Sequence, residues 1–161
     1  MNISAIIKWL ERLEDLILIF LLLTMIFMAV LQIILRNAIG SGIAWGDTMV
    51  RILVLWTGLV GAMAATRQNS HINIDVVTRY LSIRAVRLSN ALTMLFTAAV
   101  CLLTSWFSLD FVRMEFEFKT IAFANVPAWV CQCVIPFAFL VMAIRCLGLA
   151  SNSLRRFTDP E

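Results

Sequence analysis

Charge is scarce in this chain of 161 residues: Asp, Glu, Lys and Arg make up 14% of it, against about 25% in soluble domains. Hydrophobic residues supply 61%, and the mean hydropathy is +0.92. A chain this short has too little interior to hide so many apolar side chains from water, so lipid is the solvent for most of it. Histidine is scarcer still, with His71 alone. A haem-b anchor needs paired axial histidines within its spans, and none are present. Residues 16–35 and 88–109 hold no acidic or basic side chain. A small carrier of charged solutes keeps such groups near the membrane midplane because burying them is costly. The four cysteines, Cys101, Cys131, Cys133 and Cys146, fall within or at the end of apolar segments. There they read as small packing residues. Cys131 and Cys133, two apart on a predicted helix, point in different directions, and apolar surroundings disfavour the reactive thiolate. An enzyme is therefore not expected, nor is a cofactor or bound metal. The net charge of +3 does not indicate nucleic acid either, because the basic residues flank apolar runs.

What the sequence does hold is apolar length. The reading is an all-α integral membrane protein: one membrane domain over residues 1–161, with four transmembrane helices and amphipathic surface helices. Residues 16–35 cover about 30 Å as a helix, the thickness of the hydrocarbon. Lys8 and Arg12 precede them as in a signal peptide, but the run is longer than an h-region, and an uncleaved first span is expected. Upstream, Ile3, Ile6, Ile7, Leu10, Leu13 and Ile17 recur at helical spacing opposite Lys8, Glu11, Arg12 and Asp15. This pattern predicts a surface helix over 3–15 that turns into the span. Gly40 and Gly42 mark the connection to a second span at 44–66. A polar connection follows, with a second surface helix predicted at 74–87 and Asn73 or Asp75 as its cap. The third span is 88–109. Residues 110–125 suit either a strand or a helical continuation of that span, and the continuation is favoured. The fourth span is 126–147, with Pro127 at its start and Pro136 placed to kink it. A frayed polar tail from Ser151 is expected after it.

With four spans, both termini lie on one side. The N-terminus, the second connection and the C-terminal end carry nine basic residues, from Lys8 to Arg156; the opposite side carries four, Arg36, Arg51, Arg113 and Lys119. The positive-inside rule puts both termini in the cytoplasm. Trp9, Trp45 and Trp129 fall near boundaries as interfacial anchors, whereas Trp56 and Trp106 lie deeper and are candidates to face a protein partner.

The candidate structural or subunit-interface residues are Asp47, Arg51, Trp56, Gly58, Gly61, Arg67, His71 and Asp75. Asp47 and Arg51 stand four apart with the acid first, the favourable order for a helical ion pair. Gly58 and Gly61 would let a neighbouring helix approach. His71 is either a solvated loop residue or a hydrogen-bonding group at an interface.

The order and spacing of these residues carry a resemblance. Trp45-Gly46-Asp47, Arg51, Trp56, the small residues Gly58, Gly61 and Ala62, then Arg67 and His71-Ile72-Asn73-Ile74-Asp75 resemble the signature region of TRAP transporter small subunits, the DctQ-like family. Val126-Pro127-Ala128-Trp129, Ile135-Pro136 and Arg145 extend the match to the last span. Thr48 departs from it, since many relatives carry a second acid there, and a two-carboxylate role at this position is not carried over. The resemblance implies a small scaffold subunit in the bacterial inner membrane. Its implied partners are a large membrane subunit, which holds the substrate and sodium sites, and a periplasmic binding protein for a small organic acid. Membrane lipid is the remaining partner. A self-sufficient four-helix carrier and the anchor subunit of a redox complex are the alternatives.

The basic asymmetry generates a prediction. Reporter fusions at the C-terminus and near His71 should read cytoplasmic, and fusions near Gly40 and Glu117 should read periplasmic. A periplasmic C-terminus would overturn the orientation.

Overall fold

Apolar runs in lipid satisfy their backbone only by forming helices, and helices account for nearly all of this chain. A computed structural model describes residues 3–67 and 83–158. In chain order it contains α1 (Ile3–Ile39), α2 (Gly46–Arg67), α3 (Ile83–Phe118), a two-stranded hairpin of β1 (Ile121–Phe123) and β2 (Val126–Pro127), α4 (Ala128–Gln132) and α5 (Val134–Thr158). Among the described residues four stretches are long and apolar enough to cross a membrane: Lys8–Ile39, Gly46–Arg67, Ser89–Phe118 and Ala128–Ser151. The chain is thus an all-α, multi-pass membrane protein.

Three boundaries differ from the sequence reading. No turn separates residues 3–15 from the first span: α1 is one helix of 37 residues, about 55 Å long, which exceeds the hydrocarbon by several turns. Ile17 and Leu21 keep the period of the amphipathic stretch in step with that of the span, so nothing in the sequence forces a bend. The tail expected to fray from Ser151 stays helical to Thr158. The predicted surface helix at 74–87 lies largely outside the described residues, as do Asn73, Asp75 and His71. From Ile83 onward the backbone is already that of α3. The favoured continuation of the third span holds as far as Phe118. The alternation of Val112, Met114, Phe116 and Phe118 with charged residues is therefore helical, not a strand.

The spans stand in a row. The most extensive interface joins α3 to α5, the next joins α1 to α2, and a smaller one joins α2 to α5. The order across the row is α1, α2, α5, α3, and exposed side chains such as Phe27, Phe96 and Phe107 point outward from it. Hydrocarbon supplies no hydrophobic drive between helices, so close packing holds them. Along α3 the buried positions are Ala91, Met94, Ala98, Cys101 and Ser105, a three-four alternation that keeps one narrow seam facing its partner. Opposite them α5 buries Ala138, Met142, Ala143, Cys146 and Ala150. Alanine and cysteine let the two backbones approach closely, which accounts for Cys101 and Cys146 as packing residues. Met63 of α2 joins this cluster. Leu21, Met28 and Leu53 form a second cluster between α1 and α2, with Trp56 packed against it.

The fourth span is interrupted at Cys133, between α4 and α5, and not at Pro136 itself. Pro136 has no N–H to offer the Gln132 carbonyl one turn earlier, and its ring crowds that turn, so the disturbance falls upstream. Neighbouring helices supply donors around it. The Trp56 indole N–H donates to the Cys131 carbonyl at 2.8 Å, and the Ser105 hydroxyl donates to the Pro136 carbonyl at 3.0 Å. Before α4, the hairpin turns through Ala124 and Asn125, both at positive φ (41° and 68°). Two consecutive left-handed residues make the tight turn whose twist matches paired strands. The Ala128 N–H then donates to the Thr120 carbonyl at 2.8 Å, which seats the start of α4 on the hairpin.

The α3–α5 seam should not tolerate bulk. Ala98 is 1% exposed and Phe96 is 72% exposed. Ala98→Leu should lower stability in detergent by about 1–3 kcal/mol through overpacking, while Phe96→Leu should leave the unfolding midpoint unchanged. A neutral Ala98→Leu would mean that the seam is looser than these contacts require.

Candidate functional site

Two polar knots sit towards opposite ends of α1. The first joins three helices. Arg145 is the one charged side chain between Ala128 and Ser151, and a lone charge on an apolar helix needs a partner. It finds two: its guanidinium donates to the Glu14 carboxylate on α1 and, at 2.7 Å, to the Met63 carbonyl on α2. Arg67, at the end of α2, donates to Asp15 at 2.8 Å and to the Glu11 carbonyl at 2.9 Å. The nitrogen that donates to the Glu11 carbonyl also lies 3.6 Å from the second Glu14 oxygen. The side chains of Glu14 and Arg67 are each 16% exposed. Two carboxylates thus face two guanidiniums and the charge is balanced, with Glu14 shielded and Asp15 at the rim, its side chain 51% exposed. Removing one partner of such a group strands the other's charge, which costs far more than an exposed pair is worth.

The second knot is built on Gln32, the sole strongly polar side chain of the first span. It is buried. Its amide donates to the Ile43 carbonyl at 3.0 Å and accepts from the Ile43 N–H at 3.1 Å, so it reads one backbone unit of the α1–α2 connection from both sides. It also donates to Asp47 at 3.2 Å. Gly42 and Gly46 pack directly on this amide: a Cβ at either position would fall 2.7 Å or 2.6 Å from its atoms. Both glycines are set by space, whereas Gly40 (φ 73°) is set by backbone conformation.

Asp47 does not pair with Arg51, contrary to the sequence expectation. Its carboxylate turns across to α1, where it accepts from Gln32 and from Arg36 at 3.2 Å. A helical i,i+4 pair contributes only about 0.2–0.5 kcal/mol, which the N–H that the buried Gln32 amide has left over from Ile43 outweighs. Arg51 pairs with no carboxylate among the described residues. It borders a cavity roofed by the hairpin.

The other expected residues divide. Arg67 takes part in the first knot. Trp56 spends its N–H on Cys131 of its own chain and is partly buried, whereas Trp106 is exposed. A Cβ on Gly58 would meet nothing within 4 Å, and one on Gly61 would meet Leu18 of α1 at 3.6 Å. The two glycines therefore face different neighbours. His71 and Asp75 lie outside the described residues. Glu14 and the partnerships of Asp15 and Arg145 were not foreseen. The signal was a solitary arginine in the last apolar helix and an acidic pair immediately before the first uncharged run.

Among the described residues no three His, Cys, Asp or Glu side chains come together as a metal would require. A multi-pass protein whose embedded polar groups tie its own helices into a row has the build of a membrane component of a larger system. The sequence pattern of the tripartite ATP-independent periplasmic transporters, DctQ component, matches residues 25–156, and the chain belongs to that family. It is a transporter component and not an enzyme. The chain is similar to the isethionate TRAP transporter permease protein DctMQ of Oleidesulfovibrio alaskensis, with 23% identity over 117 residues. The similarity takes in 72% of this chain and 18% of that protein, so this chain spans under a fifth of its relative's length.

These contacts predict opposite outcomes for two mutant cycles. Glu14→Gln and Arg145→Gln should each destabilise the detergent-solubilised chain by about 2 kcal/mol, and the double variant should lose less than their sum. Asp47→Ala and Arg51→Ala should be additive within error. Thermal unfolding of the four singles and two doubles checks both statements, and coupling between Asp47 and Arg51 would contradict the geometry.

Proposed function

We propose that this chain is the small scaffold subunit of a sodium-driven tripartite transporter that imports an organic acid across the bacterial inner membrane. In this reading it works with a large membrane subunit and a periplasmic binding protein, and both its termini are cytoplasmic. One observation carries the proposal. The polar groups that reach between the spans, namely Gln32, Trp56, Ser105, Glu14, Arg67 and Arg145, are bonded to this chain's own atoms. Four helices in a row enclose no central path for a solute, but they do form a wall with two broad apolar faces. A stationary wall is what a moving partner subunit needs at its side. That the similarity covers so little of DctMQ suits a small-subunit counterpart forming one part of a longer polypeptide. Recognition of the acid and of sodium then falls to the other chains.

Gly58 gives the proposal a sharp test, because a side chain there meets nothing of this chain. Gly58→Leu should leave the chain's own unfolding midpoint unchanged and weaken copurification with the large subunit, since small residues let a partner helix approach. Gly61→Leu should instead disturb packing against Leu18. In liposomes the chain alone should take up no organic acid, and adding the large subunit with its loaded binding protein should start sodium-dependent uptake. Uptake by the purified chain alone would refute the scaffold role.

A further inference from the structure

A cavity of roughly 390 Å³ opens between α2, the last turn of α3, the hairpin and α4. Its lining includes Thr48, Arg51 and Ile52 of α2, together with Glu115 and Gln132. Two of its acceptors, Glu115 Oε2 and Gln132 Oε1, are buried with no hydrogen-bond partner among the described residues. Buried polar atoms left so are rare and call for an occupant. Neither the ionised carboxylate nor the amide oxygen can donate, so the occupant must bring several hydrogens, and a cation suits Glu115 best. Arg51 also lines this cavity, and no carboxylate among the described residues pairs with it. A ligand that meets both demands is dipolar, with an ammonium at one end and an anion at the other.

The place in the membrane narrows the choice. Trp45 and Phe123 stack at 6.2 Å beside the hairpin, and Phe116 meets the edge of Trp129 at 5.5 Å. Such aromatic pairs mark the level of lipid headgroups. Ile52 and Leu55 continue the lining one turn further along α2, in the direction that acyl chains would run. We propose that this cavity binds the headgroup of an ethanolamine phospholipid: its phosphate lies beside Arg51 and its primary ammonium donates to Glu115 and Gln132. A choline headgroup has no N–H to donate. A glycerol headgroup brings no cation to meet Glu115. The inference concerns this chain alone and does not rest on the transport role proposed above.

The test is lipid binding to the purified full chain in detergent micelles, read by native mass spectrometry. Ethanolamine, choline and glycerol phospholipids with the same acyl chains are offered in equal amounts. The ethanolamine lipid should be retained about tenfold over the other two, the ratio expected from one charge-assisted hydrogen bond. Glu115→Gln should erase most of that preference while binding of the other two lipids persists. Gln132→Met, which keeps the length and loses the acceptor, should reduce the preference as well and provides a second reading if the first variant folds poorly. Arg51→Gln should weaken all three lipids alike. Equal retention of the three lipids by the unaltered chain, or an undiminished preference in both Glu115→Gln and Gln132→Met, would overturn the proposal. So would displacement of the lipid by water-soluble phosphoethanolamine as effectively as by the lipid itself, since the site would then serve a free phosphoamine.

Discussion

Hydrocarbon accepts and donates no hydrogen bonds, and that constraint governs where the polar side chains of this protein go. A group that enters the spans must find a partner, because the alternative is an unpaired dipole in lipid, and several find it inside the chain. Gln32 closes on the backbone of Ile43, Ser105 on the Pro136 carbonyl, Trp56 on the Cys131 carbonyl, and Arg145 on Glu14 and Met63. All but the first of these bonds join segments distant in sequence. The polar minority thereby pins helices that the apolar seams have made neighbours.

Those bonds are distributed along the row. One knot near the start of α1 ties α1 to α2 and α5 through Glu14, Asp15, Arg67 and Arg145. The other, at the far end of α1, holds the α1–α2 connection through Gln32. Between α3 and α5 the tie is mainly one of shape, a seam of alanine, cysteine and methionine, with Ser105 as its polar pin. An assembly of this kind resists being pulled apart at either end yet leaves its flat faces free. The shape follows from the seams: a narrow apolar stripe on each helix buries one or two neighbours and cannot close a ring around a common axis. A wall, not a channel, is what the packing yields, and the scaffold role rests on that.

The break in the last span illustrates how sequence and neighbours share a decision. Proline removes a donor wherever it stands in a helix. Where the helix actually parts depends on which carbonyls can be served by other donors, and Trp56 and Ser105 are placed to serve two of them. Trp56 had looked like a residue for an outside partner. Its N–H is committed within the chain, and of Trp56 and Trp106 the exposed one is Trp106.

Hydropathy, run length and turn residues were enough to establish the membrane class, the number of spans and most of their limits, because these depend on transfer free energies that are local to each segment. The spacing of Trp45 to Asp75 was enough to point to the family. The tertiary structure decided the partners. Asp47 satisfied a local helical rule with Arg51 and bonds Gln32 and Arg36 instead, since a weak local pair yields to a buried amide brought near by folding. Gly42 looks like turn punctuation in the sequence, but it and Gly46 are glycines because the Gln32 side chain lies against them. Glu14 and Arg145 are 131 positions apart, and no local pattern joins them. Which charge meets which is set by the order of helices across the row, a long-range property that arises only once the seams have chosen their neighbours.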